Sequence, residues 1–295
     1  MAISKRHAAA LPIALAALAL AGCGGSGSSS SSSASSSAAS TGAQTSSGTF
    51  TNGSYTSNLK ATNNGEATRP ASQIIANTEA ALGQIHSFHI AGTAVQGGTQ
   101  NEISGDLQLP GRVSATLTAG SAVAHVVVID GKVYFNANQA YYLAQKTSTA
   151  VAQTLANRWV YFPTGQGPSI GSLAAAVDPT KIGMCLIAAH LGTVTVQGTG
   201  TVNGQSAVIL FDHGDVPGST PGRLWVATTG PSLPLKTVQT GLQKPGGKPN
   251  TACLEDASDV SGDTTASTAL YTEYNTAPPV NAPAGAVALS SLGSS

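Results

Sequence analysis

Short segments in which apolar and polar residues alternate, separated by two-residue turns, constrain the fold of this chain more than any other feature. Residues 103–109 and 193–202 alternate with a period of two, which places successive side chains on opposite faces of a β-strand. Asp130-Gly131 and Asn203-Gly204 each stand between two such segments and are typical of type I′ hairpin turns. Strands joined by turns this short pair antiparallel. We therefore expect about eleven strands in one large antiparallel sheet.

Helical patterns occupy much less of the chain. Residues 70–86 have apolar residues at helical spacing after Pro70, a residue suited to a first helical turn. Ser148 can cap a short helix, and residues 169–177 and 179–191 form an Ala-rich helical insertion. These helices are too few to cover both faces of the sheet. The predicted fold class is therefore α+β, with a large curled antiparallel sheet, a half-barrel, wrapping a few helices or a cavity.

The N-terminus has the layout of a secretion signal. Lys5 and Arg6 precede an apolar run over residues 8–21, which is too short to span a bilayer, for which roughly 20 apolar residues are needed. Leu20-Ala21-Gly22-Cys23 resembles the lipobox of bacterial lipoproteins, in which the Cys is lipidated and becomes the first mature residue. We expect residues 1–22 to be a signal peptide, Cys23 to carry the lipid, and the protein to be exported and anchored on the extracytoplasmic side of a cell-envelope membrane.

Three further segments follow from composition. Residues 23–68 are rich in Ser, Gly, Ala and Thr, and such a segment buries too little apolar surface to fold. A flexible tether of roughly 45 residues has an r.m.s. reach of about 35–40 Å. Residues 69–288 are predicted to form one domain, and residues 289–295 a disordered tail.

Charge limits the possible partners. Without Lys5 and Arg6, 11 basic residues stand against 13 acidic ones, and no basic stripe is present. Nucleic acid is therefore not an expected partner, and the lipid anchor has to supply the membrane affinity. We expect a monomer. The sequence contains no nucleotide-binding glycine loop, so no cofactor is expected.

Cys185 and Cys253 remain as a pair once Cys23 is assigned to the lipid. Disulfides persist in exported proteins, and we predict that these two residues are bonded, which would stabilise the fold by roughly 4 kcal/mol. Two buried free thiols are the alternative. Neither Cys has a His or carboxylate at the spacing of a metal site.

One motif imitates a hydrolase. Residues 167–171 match G-x-S-x-G with Ser169 at its centre, and Asp178 and His190 follow in the order of an α/β-hydrolase triad. That fold requires a parallel sheet, whereas this chain has consecutive hairpins. We therefore expect no enzymatic activity, and catalysis by Ser169 is a remote alternative.

The other histidines have ordinary structural interpretations. His86 and His89 lack a third metal ligand in the sequence nearby, so a capping or surface role is expected, and no metal site is predicted. His125 lies in an apolar strand, where we expect a hydrogen-bonded core residue. Contact of His125 with a lipid head group is the alternative.

Several stretches together resemble the LppX/LprG-type lipoproteins of mycobacteria and related actinobacteria, whose folds are similar to those of the LolA and LolB carriers. The stretches are IHSFHIAG (85–92), VIDGKVY (128–134), RWV (158–160), VNG (202–204), RLWVA (223–227), LPL (233–235) and LYTEYN (270–275). The resemblance covers residues 70–283 by order and spacing. It implies a half-barrel over an apolar cavity that binds acylated lipids or lipoglycans during envelope transport. The Cys185/Cys253 pair and the Ala-rich insertion are not defining features of that family.

The expected function is therefore non-catalytic lipid binding. The strand residues expected to line or border the cavity are Phe88, Ile90, Val113, Leu117, His125, Val127, Ile129, Val194, Val196, Ile209 and Phe211. Each acyl methylene buried against such side chains contributes about 0.8 kcal/mol. An envelope sensor or protein-interaction module with the same fold is the alternative.

Overall fold

Twelve strands form a single sheet in the computed structural model, which describes residues 62–96, 98–164, 183–188, 190–248, 250, 253 and 264–292. The strands are β1 (Ser87–Gln96), β2 (Thr99–Gln108), β3 (Arg112–Ala119), β4 (Ala122–Ile129), β5 (Lys132–Ala137), β6 (Val160–Pro163), β7 (Val194–Val202), β8 (Gln205–Asp212), β9 (Gly222–Ala227), β10 (Pro234–Gln239), β11 (Thr264–Thr272) and β12 (Val287–Ala288). The helices are α1 (Ala71–Leu82), α2 (Gln139–Ala144) and α3 (Thr149–Leu155), with 3₁₀ turns at Glu66–Thr68 and Leu289–Leu292 and a π-helical turn at Met184–Ala188.

The order of the strands is β12-β6-β5-β4-β3-β2-β1-β11-β10-β9-β8-β7. Two consecutive antiparallel meanders, β1 to β6 and β7 to β11, are joined where β1 pairs with β11. The predicted class, a large curled antiparallel sheet with few helices, is confirmed. The sheet exceeds the expected eleven strands because β12, after the Pro-rich segment, pairs with β6; this pair is parallel.

The two predicted hairpin turns have the expected backbone. Asp130 and Gly131 have φ values of 51° and 68°, and Asn203 and Gly204 have 49° and 80°. Positive φ at both central residues is the requirement of a type I′ turn, which only Gly, Asn and Asp meet at low cost. These turns fix the register of β4 with β5 and of β7 with β8.

One face of the sheet, here called the inner face, carries Phe88 on β1 and Leu210 on β8 and is packed against α1. Ile74, Thr78 and Leu82 of α1 are fully buried and recur every four residues, so they form one stripe of the helix. The predicted helix over residues 70–86 is thus confirmed as α1, which ends at Leu82 and leaves Ile85 buried in the loop.

Small side chains let neighbouring strands approach closely at the middle of the inner face. A Cβ atom on Gly105 of β2 would lie 2.8 Å from the carbonyl oxygen of Ser114 and 2.9 Å from the Cβ of Ala115. Glycine is therefore required at this position.

The folded part begins before the predicted boundary at residue 69. Asn63 forms a β-bridge with Thr229, and Glu66 is 1% exposed. One carboxylate oxygen of Glu66 accepts hydrogen bonds from Asn77 and Ser232, each at 2.8 Å. These tertiary contacts hold the segment, although its local composition resembles the tether, so the tether prediction of 23–68 is corrected for residues 62–68.

The predicted disordered tail is also corrected where it is described. Leu289–Leu292 forms a 3₁₀ turn, and Leu292 packs against the main core. The short β12 that precedes it pairs with β6, which positions the turn. A two-residue strand and a single turn produce too little periodicity to be predicted from sequence.

Candidate functional site

The inner face is an apolar surface that extends across both meanders. Strand residues buried on it include Phe88, Ile90, Leu107, Val113, Ala115, Val126, Phe135, Val208, Leu210, Leu224, Val226 and Tyr271. Ile74 and Leu82 of α1 and Leu186 and Ile187 of the π-helical turn belong to the same cluster. Beneath α1, the inner face is therefore filled by the protein's own side chains.

Helix α2 brings two adjacent tyrosines to this cluster. Asn138 caps the helix by accepting a hydrogen bond from the backbone N–H of Tyr141 at 2.9 Å. The side-chain NH₂ of Asn138 also donates to the carbonyl of Ser121 at 2.8 Å, which ties the helix start to the turn before β4. The rings of Tyr141 and Tyr142 lie edge-on, 5.8 Å apart, and pack against Phe135 at 5.4 and 6.3 Å.

The hydroxyl groups of these tyrosines have no hydrogen-bond partner among the described residues. Tyr141 is 9% exposed and Tyr142 is 4% exposed. Burial raises the pKa of Tyr142 to about 12, and burial together with the neighbouring Tyr142 raises the pKa of Tyr141 to about 12. Buried hydroxyls are nearly always hydrogen-bonded, so two unpaired ones at an apolar face mark a candidate position for a ligand's acceptor atoms.

Part of the predicted lining lies on the inner face. Phe88, Ile90 and Val113 are buried members of the main cluster, and Leu117 and Val194 pack against it while partly exposed. Val196 is opposite Leu210 in the ladder and is 39% exposed. Val196 of the edge strand β7 is thus less covered than Leu210 opposite it.

The other predicted lining residues lie on the opposite, outer face. Val127 and Ile129 form a separate cluster with Val280, so β4 is buried on both sides. The C-terminal segment covers its outer side, and an apolar run of this kind does not reveal which residues face inward. The prediction of one shared face is therefore corrected for Val127 and Ile129.

Ile209 and Phe211 alternate with Val208 and Leu210 of the core and so also face outward. His125 alternates with the core residues of β4 in the same way. Its Nδ1 hydrogen-bonds the hydroxyl of Thr116 at 2.9 Å, as expected of a hydrogen-bonded histidine, but on the outer face. The shared-face prediction is corrected for these three residues too.

A β-bulge between Val196 and Gly198 changes the pattern predicted for residues 193–202. Val196 opposes Leu210, yet the next pair is Gly198 with Ile209. One extra residue moves every later side chain to the other face. Thr199, opposite Val208, is therefore on the inner face, and the predicted smooth inner face of β7 ends at the bulge.

A second feature is an open pocket of about 720 Å³ at one end of the sheet. It is lined by the β2–β3 and β4–β5 turns and by His86, Gln108, Arg112, Asp130 and Asn275. Arg112 and Asp130 form an ion pair across 3.8 Å. Since β9 ends at this same end of the antiparallel sheet, the Asn63–Thr229 bridge places the start of the domain there as well.

The disulfide predicted between Cys185 and Cys253 is present and joins residues 68 positions apart. Ser169, Asp178 and Cys23 lie outside the described residues, as do the helix predicted at residues 169–177 and residues 179–182 of the helix predicted at 179–191. Within the second predicted helix, the structure has the π-helical turn Met184–Ala188. His190 is half-buried. Within the described ranges, no helix is long and apolar enough to cross a membrane.

The sequence analysis did not single out Tyr141 and Tyr142 as a site. A usable signal was present: Asn138 is a favourable helix cap immediately after an apolar strand, and two aromatic residues follow in the first turn. Their missing hydrogen-bond partners, however, depend on the tertiary surroundings.

Comparison with known proteins gives structural matches only. No protein-family model matches the chain, and no curated protein matches it. The structure is similar to LprF from Mycobacterium bovis (14% identity, TM-score 0.45, 72% of this chain and 96% of that one) and to the lipoprotein LppX of Mycobacterium tuberculosis (11%, 0.43, 72% and 100%). A LolA-superfamily protein from Nitrosomonas europaea is a more distant match (7%, 0.24, 72% and 95%). These matches are of the kind that the sequence resemblance indicated.

Proposed function

We propose that this protein is an exported, membrane-anchored lipoprotein that binds an acylated lipid at the inner face of its sheet, without catalysis. The observation that carries the proposal is the pair of buried hydroxyls of Tyr141 and Tyr142 at an apolar surface, neither of which has a partner among the residues that the structure describes. Lipid sites combine a large apolar lining with a few polar groups that fix the ligand's orientation. An ester or amide carbonyl beside an acyl chain supplies the acceptors that these hydroxyls lack.

The free energy of such binding would come mainly from the acyl chain. Each buried methylene contributes about 0.8 kcal/mol, so a chain of about 16 carbons gains on the order of 10 kcal/mol before the cost of ordering it. Val196 of the edge strand β7 is an exposed apolar side chain of the inner face that an acyl chain would cover. Hydrogen bonds from the tyrosines add about 0.5–1.5 kcal/mol each, because the cost of desolvating both hydroxyls is already met in the free protein.

The anchor would keep this surface near its source of ligand. We infer lipidation at Cys23 from the lipobox resemblance, and residues 24–61 would form the flexible link between Cys23 and the start of the described domain. The domain begins at the end of the sheet that carries the open pocket. This arrangement favours an orientation in which that end faces the membrane.

Native mass spectrometry of the full-length lipoprotein, released gently from membranes, tests the proposal. We expect a co-purifying acylated lipid and uptake of a fluorescent fatty-acyl probe. The double variant Tyr141→Phe/Tyr142→Phe should weaken probe binding by about 5- to 150-fold, the equivalent of two hydrogen bonds. Tyr134→Phe, on the opposite face of β5, is the matched control and should bind normally. Absence of both lipid and probe binding would refute the proposal.

A protein-binding role on the same fold is the second candidate. Leu143 of α2 and Val151 of α3 are 44% and 47% exposed, and large exposed apolar side chains are typical of contact surfaces. Under this alternative, Leu143→Ser/Val151→Ser would abolish co-purification of an envelope protein, while the double tyrosine variant would retain it.

A further inference from the structure

Three potential metal ligands meet on the outer face of the sheet, away from the inner-face tyrosines. His89 lies on β1, Asp106 lies on β2, and Glu273 directly follows β11. One ligand atom of each lies within 4.8 Å of the other two. Because β1 pairs with β2 on one side and β11 on the other, with His89 opposite Asp106 and Thr272, the backbone of three neighbouring strands holds the cluster.

The contacts of His89 suit a metal ligand. Its Nδ1 is 2.7 Å from a carboxylate oxygen of Asp106, and its Nε2 is 3.2 Å from the hydroxyl oxygen of Ser104. A carboxylate only accepts, so in this structure Nδ1–H donates to Asp106. A metal ion would replace that proton on Nδ1, and Nε2–H would then donate to the hydroxyl of Ser104. A partner that holds the non-ligating nitrogen and fixes the tautomer is a general feature of metal-binding histidines.

The cluster has no permanent positive charge in the described part of the chain, because its one cationic partner there is His89, which is charged only when protonated. Asp106 and Glu273 are both partly buried, and in the described part of the chain neither forms an ion pair with Lys or Arg. A neutral His89 leaves two carboxylates sharing a half-buried site. Their combined field attracts a cation far more strongly than either would alone.

We propose that His89, Asp106 and Glu273 bind a divalent transition-metal ion of the Zn²⁺ type, with Ser104 as the positioning residue. An imidazole with two carboxylates suits Zn²⁺, whereas Ca²⁺ takes six to eight oxygen ligands. Bonds of about 2.0–2.2 Å in a tetrahedral site separate ligand atoms by about 3.4 Å. Nδ1 of His89 and the Asp106 oxygen 2.7 Å away would therefore separate by about 0.7 Å, and ligand atoms near the 4.8 Å limit would close by about 1.4 Å. Three protein ligands leave one position for water or an external donor.

The contacts from Ser104 to His89 and from His89 to Asp106 resemble those of a Ser–His–Asp catalytic triad. The surroundings of Ser104, however, do not fit acyl transfer. Ser104 lies within β2, which is paired with β1 and β3 on its two sides. The backbone N–H groups around it are therefore used by the sheet and are not free to form an oxyanion hole. The triad also leaves Glu273 without a role.

Zn²⁺ titration of the tag-free, full-length protein in detergent tests the proposal, with a fluorescent Zn²⁺ competitor to report the affinity. We expect one Zn²⁺ per chain, no binding of Ca²⁺ at the same concentration, and at least tenfold weaker Zn²⁺ binding in Asp106→Asn and in Glu273→Gln. Ser104→Ala should weaken binding by about tenfold, the effect typical of a residue that orients a ligand. Glu102→Gln, an exposed acidic position on the same face of β2, is the matched control and should bind like the wild type.

Far-UV circular dichroism establishes that each variant is folded. Failure of the wild type to bind Zn²⁺ would mean that the cluster is a cross-strand ion pair only. Equal affinity in Asp106→Asn, Glu273→Gln and Glu102→Gln would place the ion elsewhere, and labelling of Ser104 by a fluorophosphonate would favour the triad. Each of these results overturns the proposal, and none bears on lipid binding at the inner face.

Discussion

Replacing Tyr142 with Phe should stabilise the lipid-free protein, which is the opposite of what most core substitutions do. The hydroxyl of Tyr142 is buried without a partner in the described structure, and the residue is 4% exposed. An unpaired buried polar group costs about 1–3 kcal/mol. Phe keeps the ring contacts with Phe135 and removes only the oxygen, so we expect the free energy of unfolding to rise by about 1 kcal/mol.

Tyr274→Phe is the matched control, with an effect of opposite sign. The Tyr274 hydroxyl donates a hydrogen bond to the carbonyl of Pro234 at 2.6 Å, and its loss should lower the free energy of unfolding by about 0.5–1.5 kcal/mol.

Urea denaturation and differential scanning calorimetry of delipidated protein measure both changes. In a domain of this size, 1 kcal/mol corresponds to about 2–4 °C in the melting temperature. With lipid bound, the stabilisation by Tyr142→Phe should shrink or reverse, because the hydroxyl then has an acceptor. Equal destabilisation by Tyr142→Phe and Tyr274→Phe in lipid-free protein would refute the reasoning, since it would mean that the Tyr142 hydroxyl is already hydrogen-bonded.

Three further outcomes follow from buried groups and chain connections. Burial raises the pKa values of Tyr142 and Tyr271 to about 12. Because the unfolded chain loses these protons near pH 10, the free energy of unfolding should fall between pH 10 and 12. Urea unfolding at each pH measures this fall, which should be less steep in Tyr142→Phe. Gly105→Ala should destabilise by about 1–3 kcal/mol, because the added Cβ would lie 2.8 Å from a backbone carbonyl oxygen of β3; an unchanged urea midpoint would contradict the close packing there. Reduction of the Cys185–Cys253 disulfide, which spans 68 positions, should lower the free energy of unfolding by up to about 4 kcal/mol; a melting temperature insensitive to reductant would exclude this contribution.

Local signals predicted much of the fold. The period-two segments, the Asp130-Gly131 and Asn203-Gly204 turns, and the helical stripe of α1 all act between residues close in sequence, and each is present in the structure. Turn chemistry specifies pairing between strands that follow each other closely, such as β4 with β5 and β7 with β8. The longer connections from β5 to β6 and from β10 to β11 contain no such turn signal. The disulfide followed from a count of cysteines and the expected compartment.

Local patterns were less informative about which face of the sheet a side chain lies on and about where the folded domain begins. The uniformly apolar β4 has no alternation to show that Val127 points outward, and the bulge after Val196 reverses the later part of β7 without a clear sequence mark. The segment around Glu66 looks like the tether in composition, yet Ser232, which is 166 residues away, holds its carboxylate.

The antiparallel hairpins and the small number of helices could be predicted from the sequence alone, and the secretion signal with its lipobox and the flexible link stay predictions from the sequence. These features arise from composition and from neighbouring residues, whose interactions need no folded context. Only the tertiary structure decided which side chains lie together. The pairing of β1 with β11 brings His89 to Glu273, and the packing of α2 on the inner face buries the hydroxyls of Tyr141 and Tyr142 without partners in the described part of the chain. Both candidate sites depend on contacts formed only when distant segments pack, and a linear pattern does not encode those distances.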